Sequence, residues 1–330
     1  MGVTFGPGFM VLENGDEIIW VTPHSGPALE TPTSRDQNSD TVASLCWLKA
    51  GGKYILSTMP RKRALGIDFN RDPPPLKKSL EYYPLFMKDI YPEKLAGYRE
   101  KYAWCASDSR DHAKRLKIYN DFWSALRGKG KTVVFLHTKF TRLKNFPSIM
   151  DIIAYEDYGF SRDILAPIIR NINRKYSGFL HSISENYKHA IILQEKRISR
   201  RIAEIYGSFD TSTSKVEYKT NLMGDLRIIR KYADKRRVGA LKKQFNSINF
   251  MLAVKSALKN AGTPKVTIES IFRGSHARSQ AKVVSRRRNV ISIELNGFLN
   301  QWYPHHASDM VLDIVNAIRP MTKITQYFTD

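Results

Sequence analysis

The first 60 residues alternate short apolar runs with turn residues. Residues 9–12 and 17–22 are apolar runs of strand length, and Asn14-Gly15 lies between them. This dipeptide is typical of a tight turn between antiparallel strands, because both residues tolerate positive φ angles. The pattern therefore predicts a β-hairpin.

A helix and another strand are predicted next. Residues 42–49 place Val42, Leu45 and Cys46 at helical spacing, and Gly51-Gly52 follows as a C-cap. Residues 54–59 are again a run of strand length. A strand, a helix and a strand in close succession predict a βαβ unit, which requires a parallel sheet.

Strands and helices are also predicted further along the chain. A helical period covers residues 111–126, and a continuous apolar run, typical of a buried strand, covers 131–137. Two more strands are predicted at 266–270 and 290–295, followed by a closing helix that carries Val311 to Ile318. The order of these segments indicates an α/β fold.

We interpret residues 1–330 as a single α/β domain with a basic helical insertion at about 165–262. Helical periods recur within the insertion around residues 183–205 and 241–252. The stretch 207–224 is rich in serine and threonine and is predicted to be a mobile connection. No repeat or low-complexity tract divides the chain.

The charge of the chain is strongly basic, with 53 Lys and Arg against 31 Asp and Glu and a formal net charge of +22. This charge makes a nucleic acid, an anionic lipid or an acidic substrate a legitimate partner. The basic residues between about 170 and 288 lack the interleaved aromatic side chains that stack on bases. Solvated helix faces are thus the favoured interpretation, and nucleic-acid binding is the alternative.

Two classes of protein are disfavoured by composition. With only two cysteines, the chain has neither a disulfide framework nor a thiolate zinc site, so that histidines and carboxylates must hold any metal. No apolar segment reaches the about 20 residues of a membrane span, and the N-terminal residues do not resemble a signal peptide. We expect a cytoplasmic protein that does not enter a membrane.

Three residues capable of catalysis lie at or near the carboxyl ends of predicted strands. These are His24, His137 and Glu294. Ligands of open α/β sheets bind at that edge, and two imidazoles with a carboxylate are a common set for catalytic zinc. Each residue also has a structural alternative: a lone histidine is often hydrogen-bonded in a core, and Glu294 can pair with an arginine.

Several short motifs, taken in order, resemble those of the N-formylglutamate amidohydrolase family. The resemblance covers roughly residues 17–160 and 265–318. The motifs are Pro23-His24-Ser25-Gly26, Asn38-Ser39-Asp40, Ile67-Asp68-Phe69-Asn70-Arg71-Asp72-Pro73, Leu136-His137-Thr138, Phe272-Arg273-Gly274 and Ile293-Glu294-Leu295-Asn296. The resemblance implies a mixed, mostly parallel twisted sheet flanked by helices, similar to zinc exopeptidases.

The resemblance also implies one bound zinc ion. His24 and His137 would be ligands, with a carboxylate from the segment between them. Asp40 matches the aspartate of the family best, while Glu30 and Asp36 are local competitors. Asp40 considered alone is also a suitable N-cap for a helix that begins at the next residue.

Glu294 matches the family glutamate that would act as general base on a zinc water. Asn70 and Arg71 match an element that would hold a substrate carboxylate, although Arg71 can instead pair with a neighbouring aspartate. Arg278 lies in a polar loop and is a further candidate for substrate contact. The sequence departs from the family pattern at the second histidine, where Phe135 replaces the expected aspartate.

The sequence therefore predicts a zinc-dependent amidohydrolase that cleaves an N-acyl, N-formyl-like amino acid or a related small carboxylate-bearing substrate. Two other hypotheses remain. One is a non-catalytic, basic nucleic-acid-binding protein on the same fold, and the other is a hydrolase that acts on a polyanionic substrate.

Overall fold

The computed structural model describes residues 1–28, 35–88, 92–127, 132–139, 148–153, 160–190, 193, 262–269 and 289–321. These residues form one eight-stranded sheet with helices on both faces. The strands are β1 (Gly2–Gly6), β2 (Phe9–Glu13), β3 (Ile18–Thr22), β4 (Lys53–Ser57), β5 (Thr132–Lys139), β6 (Ser148–Ile153), β7 (Lys265–Ile268) and β8 (Asn289–Asn296).

Eight helices with defined bounds accompany these strands in the described part of the chain, and residues 184–190 are also helical. A short 3-10 turn, Arg319–Met321, follows the last of them. The helices are α1 (Ser39–Ala50), α2 (Leu76–Lys88), α3 (Pro92–Lys101), α4 (Ser109–Ala125), α5 (Arg162–Lys175), α6 (Ser177–Ser182), α7 (Gly297–Trp302) and α8 (Pro304–Ile318).

The sheet is mixed, with the strand order β1-β2-β4-β3-β5-β8-β6-β7. The four central strands β4, β3, β5 and β8 are mutually parallel, and β6 and β7 are parallel to each other. The β1–β2, β2–β4 and β6–β8 pairs are antiparallel. This confirms the predicted fold class, a mixed and mostly parallel α/β sheet, and the predicted β3–α1–β4 unit.

The predicted hairpin around Asn14-Gly15 is wrong. Strands β2 and β3 are not neighbours, because β2 pairs with β4, and β3 lies between β4 and β5. The hairpin of this region is instead β1–β2, which turns at Gly6-Pro7-Gly8. A turn dipeptide limits local backbone geometry only, whereas β3 is apolar at every position and so belongs in the buried centre of the sheet.

Alternation along the central strands divides the core into two layers. Ile18 and Trp20 of β3 face the layer that contains α1, α5 and α8, whereas Ile19 and Val21 face α4. The same alternation continues in β5. Since both faces of these strands are covered by helices, polar side chains can reach solvent only where the strands end.

Helix α5 packs into the main core, although the sequence analysis assigned most of it to the insertion. Leu165, Ile168, Ile169 and Ile172 are buried in the same cluster as α1 and α8. The remainder of the predicted insertion, from residue 194 to 261, lies outside the described residues. None of the described helices combines the length and the apolar character that a bilayer span needs.

Candidate metal centre

The candidate centre lies at the carboxyl ends of the four central parallel strands. His24 follows β3, and Asp68 and Asn70 lie in the loop that follows β4. His137 is near the end of β5, and Glu294 is near the end of β8. Strands that run in the same direction bring these ends to one edge of the sheet. The topology therefore gathers residues that are far apart in the sequence.

His24 is held in place by a tight turn after β3. The hydroxyl of Ser25 donates to the carbonyl of Ser57 on the adjacent strand at 2.8 Å. A Cβ atom on Gly26 would lie 1.8 Å from the carbonyl oxygen of Met59, so that only glycine fits there. The Pro-His-Ser-Gly sequence thus fixes the direction in which the histidine leaves the sheet.

Asp36 lies between the two histidines. Its Oδ2 atom is 2.7 Å from Nδ1 of His137 and 3.2 Å from Nδ1 of His24. The imidazole ring centroids are 5.1 Å apart, and one possible ligand atom from each of the three residues falls within 4.8 Å of the others. All three side chains are buried, with 5% to 6% of their surface exposed.

The two histidines determine the ionisation of Asp36. Burial opposes a charged carboxylate, but the charge and hydrogen bonds of His24 and His137 hold the pKa of Asp36 far below its usual range. Burial likewise acts to lower the pKa of His137. The hydrogen bond that His137 donates to Asp36 and the charges of Glu294 and Asp36 nevertheless raise that pKa above its ordinary value.

The other ring nitrogen of each histidine also has a partner. Nε2 of His24 is 2.8 Å from Oδ1 of Asp68, and Nε2 of His137 is 3.2 Å from Nδ2 of Asn70. Histidines that bind metals usually have the second nitrogen fixed in this way. If Nδ1 of His137 binds a metal, Nε2 carries the proton and needs a hydrogen-bond acceptor. Rotating the Asn70 amide by about 180° would place its oxygen beside Nε2.

The described side chains fit a divalent metal such as zinc. A tetrahedral zinc ion with bonds of about 2.1 Å separates its ligand atoms by roughly 3.4 Å. The 3.2 Å between Asp36 Oδ2 and Nδ1 of His24 is close to this separation, and the 2.7 Å to Nδ1 of His137 would lengthen when an ion binds. Two imidazoles and a carboxylate are a common protein set for catalytic zinc. His24, Asp36 and His137 can therefore hold one ion and leave a position for water.

Asp68 joins His24 to two arginines. Its Oδ2 atom is 2.9 Å from Nε of Arg61 and 2.9 Å from Nη2 of Arg63. Burial opposes the charge of Asp68, yet Arg61, Arg63 and His24 hold its pKa well below the usual range. Arg63 is buried and donates to the backbone carbonyl groups of Arg61, Arg99 and Tyr102.

Replacing Asp68 with asparagine is expected to weaken both metal binding and folding. The substitution leaves the buried Arg63 without its carboxylate, which typically costs about 3–5 kcal/mol of the free energy of unfolding. It also replaces the charged acceptor that orients His24 with a neutral amide, and such changes to the partner of a metal-binding histidine lower metal affinity by roughly 10- to 100-fold. Chelator competition and thermal unfolding measure the two effects.

Asp72→Asn is the matched control for this substitution. Asp72 lies in the same loop, and its backbone groups bond to Lys101 and Ala103, which the variant preserves. We expect its zinc affinity to stay within a factor of two to three of the wild-type value. An equal loss in both variants would mean that the loop, and not the Asp68 carboxylate, is responsible.

Glu294 is the direct neighbour of His137 across the β5–β8 pair, and Asp151 of β6 is its neighbour on the other side. Burial raises the pKa of Glu294; His137 and Lys139 act to lower it, and Asp36 adds to the rise. Lys139 forms a short ion pair with Asp151. Glu294 therefore occupies a row of charged side chains on one face of the sheet.

No protein-family model matches the sequence, and comparison with curated proteins gives no match. Among solved structures, the chain is similar to a gene product of Agrobacterium tumefaciens, with a TM-score of 0.41 at 11% identity over 95% of this chain and 96% of that chain. It is also similar to an N-formylglutamate amidohydrolase from Ralstonia eutropha JMP134, with a TM-score of 0.40 at 12% identity over 97% and 99% of the two chains.

The structure places Asp36, and not Asp40, between the two histidines. Asp40 is in the first turn of α1, where its Oδ2 atom accepts a hydrogen bond of 2.7 Å from Nη2 of Arg35. The helix that begins at Ser39 carries the Asp40 side chain away from the ring nitrogens. Of the carboxylates considered in the sequence analysis, Glu30 lies outside the described residues.

Asn70 contacts His137 directly, as described above. Arg71 is half-buried and donates to the carbonyl groups of Arg99 and Asn70 at 3.2 and 3.1 Å. Arg278 lies outside the described residues, and the structure says nothing of its placement. The structure therefore brings His24, His137, Asn70 and Glu294 to one edge of the sheet.

Asp68, Arg61 and Arg63 were not predicted as part of the site. The sequence does contain a signal for them, because two arginines and an aspartate occupy one irregular stretch directly after β4. A stretch in that position must cross the carboxyl edge of the sheet. Charged side chains at that edge are expected to pair with one another or with residues of the site.

Proposed function

We propose that this protein is a metal-dependent hydrolase of amide bonds, with zinc as the metal and His24, Asp36 and His137 as its protein ligands. One observation supports the proposal above all others. Two buried Nδ1 atoms and a buried carboxylate oxygen meet at a single point, and the carboxylate of Glu294 lies on the adjacent strand. The set matches the residue types and the number of ligands in known catalytic zinc sites.

Zinc in such a set polarises a carbonyl group and lowers the pKa of a bound water toward about 7. In this proposal Glu294 would accept a proton from that water through its carboxylate and would pass it to the leaving amine nitrogen. Burial raises the pKa of Glu294 above its ordinary value, which is the direction that favours transfer of the proton in both steps. His24 and His137 are oriented by Asp68 and Asn70 throughout.

Arg61 is a cation that lies beside the proposed metal ligands and is partly exposed. Its side chain is 27% exposed, Nε is bonded to Asp68, and Nη1 is 3.9 Å from Oδ1 of Asp36. The charges of Asp68, Asp36 and Glu294 raise the pKa of Arg61 despite its burial. We infer that its guanidinium stabilises the oxygen of the scissile carbonyl as charge develops there.

Arg71 with Asn70 is proposed to bind a carboxylate of the substrate. A guanidinium offers a planar fork that matches a carboxylate, and a neighbouring amide adds a donor. The motif resemblance to the N-formylglutamate amidohydrolase family supports the finer assignment to an N-formyl or other N-acyl amino acid. The acyl carbonyl would then lie beside Glu294, with the amino-acid carboxylate farther along the β4 loop.

The proposal is tested by measuring metal content and hydrolysis together. Elemental analysis of the purified full chain is expected to give about one zinc per chain. A panel of N-formyl and N-acetyl amino acids is then compared with the matching α-carboxamides. We expect hydrolysis of the acids and a clear rise in KM for the carboxamides, because the carboxamides lack the charge that Arg71 recognises.

Two results would overturn the proposal. A metal-free protein that binds RNA or DNA with a steep dependence on salt would favour the nucleic-acid hypothesis instead. Zinc-loaded protein that hydrolyses no member of the panel would refute the assignment to N-acyl amino acids.

A further inference from the structure

The segment that carries Asp36 is fastened to the rest of the site at its next residue. The carbonyl oxygen of Gln37 accepts a hydrogen bond of 2.8 Å from the Thr138 hydroxyl and one of 3.0 Å from Nδ2 of Asn300. Nδ2 of Asn300 also donates to Oγ1 of Thr138 at 2.9 Å. These three groups form a closed triangle of hydrogen bonds.

The triangle joins three parts of the fold that lie beside the candidate centre. Gln37 follows Asp36 directly, Thr138 follows His137 on β5, and Asn300 is in α7, just after the strand that carries Glu294. Gln37 and Thr138 are thus each next to a proposed ligand in the sequence. Asn300 lies in the short helix that follows the strand of the proposed base. A shift of Gln37 would move Asp36 by a similar amount.

The backbone of Asp36 is held on its other side as well. Its N–H donates to the carbonyl of His24 at 3.1 Å, and its carbonyl accepts a hydrogen bond of 2.9 Å from the hydroxyl of Ser39. The segment then enters α1 through Asn38, whose φ of 61° is in the left-handed region. The triangle at Gln37 completes this set of restraints.

The orientation of the Asn300 amide follows from its neighbours. Gln37 offers only a carbonyl lone pair, so an amide oxygen turned toward it would place two acceptors together. The Oδ1 atom of Asn300 has no hydrogen-bond partner in the part of the chain that the structure describes, and the side chain is 1% exposed. A buried unpaired acceptor costs stability, so an asparagine here is explained best by what its NH₂ group holds.

We propose that Thr138 and Asn300 are positioning residues that hold Asp36 in its place between the histidines. The inference depends on the proposed function, because Asp36 is taken as a metal ligand. Neither residue is among the proposed metal ligands or the residues proposed to bind substrate. Their effect is to fix the backbone from which the carboxylate projects, so that the ligand set is preformed before an ion arrives.

Three variants of the full-length protein test this proposal. Thr138→Val removes the hydroxyl at nearly constant shape, Thr138→Ser retains it, and Asn300→Leu replaces the amide with an apolar group of similar size. We expect zinc affinity, measured by competition with a chelator, to fall about 10-fold in the valine and leucine variants. The serine variant is expected to bind zinc almost as well as the wild type.

A matched control separates positioning from stability. Asn173 likewise joins two elements through its side-chain amide, which donates to the carbonyl of Val266 and accepts from its N–H at the junction of α5 and β7. Asn173→Leu is expected to lower the melting temperature while leaving zinc affinity unchanged. If Asn300→Leu does not fold, the comparison of valine and serine at Thr138 remains decisive.

The possible outcomes distinguish the two proposals. Wild-type protein that binds zinc, with valine and leucine variants that bind it equally well, would overturn the positioning role and leave the proposed function intact. Wild-type protein that binds no zinc would overturn both. A loss of affinity in Asn173→Leu equal to that in Asn300→Leu would show that general destabilisation is the cause.

Discussion

Replacing Asp36 with asparagine is expected to leave the purified protein without stoichiometric zinc, whereas Asp40→Asn is expected to retain it. Asparagine has the same shape as aspartate but loses the charge that stabilises a cation beside His24 and His137. Asp40 instead pairs with Arg35, whose side chain is 34% exposed, so its loss has little consequence for the site. Elemental analysis after dialysis gives the metal content of both variants.

The comparison of Asp36 and Asp40 decides between two carboxylates that the sequence alone left open. Circular dichroism and thermal unfolding serve as the control, and we expect both variants to keep the wild-type fold. Zinc retained in Asp36→Asn and lost in Asp40→Asn would mean that the motif resemblance identified the ligand correctly and that Asp36 has another role.

Glu294→Gln is expected to abolish hydrolysis while zinc stays bound. Glutamine keeps the size and hydrogen-bonding capacity of the side chain but cannot accept a proton at neutral pH, and loss of a general base typically lowers kcat by about 100- to 10,000-fold. Because Glu294 is not among the proposed ligands, metal content should be unchanged. Steady-state kinetics on the zinc-loaded protein gives the effect on kcat and KM.

Glu269→Gln is the matched control for the same chemical change. Glu269 follows β7, where its backbone N–H donates to Ile152, and it lies outside the proposed ligand set. Its kcat should remain within a factor of about three of the wild-type value. If Glu294→Gln keeps more than a tenth of the wild-type kcat, Glu294 is not the general base.

Local patterns predicted the strongly patterned elements well. The run from Thr132 to His137 is apolar at almost every position, which is typical of a strand covered on both faces, and β5 occupies the centre of the sheet. The helical period and the two glycines after residue 50 likewise predicted α1 and its C-cap. Both elements are determined mainly by residues close together in the sequence, and the order of apolar and polar residues is enough to predict them.

The neighbours of each strand were harder to predict. Asn14-Gly15 favours a hairpin locally, but β4 pairs with both β2 and β3 and so separates them. Strand order is determined by how whole apolar faces are covered, and no short segment contains that information. Strand β6 was missed for a related reason, since Asp151 interrupts its apolar run. The pairing with Lys139 and the hydrogen bonds from Ser148 and Thr267 make a buried aspartate there acceptable.

In the candidate centre, too, some residues could be predicted from local patterns and others depend on the folded structure. His24, His137 and Glu294 were identified because each stands at the end of an apolar strand, and that position can be recognised without knowing the fold. Asp36 and Asp40 could not be separated, because both lie near the first turn of α1. The direction in which each side chain leaves that turn depends on Asn38, whose left-handed conformation is a property of the folded chain.

The position of β8 determines when during folding the centre can exist. Strand β8 lies between β5 and β6, although both of them precede it by a long stretch of chain. Bringing such distant segments together costs chain entropy before any pairing rewards it, so this step is intrinsically slow. A nascent chain therefore exposes His24, Asp36 and His137 without Glu294 until residue 296 has been synthesised. Metal taken up at that stage would bind to a partly formed protein that lacks Glu294, the proposed general base.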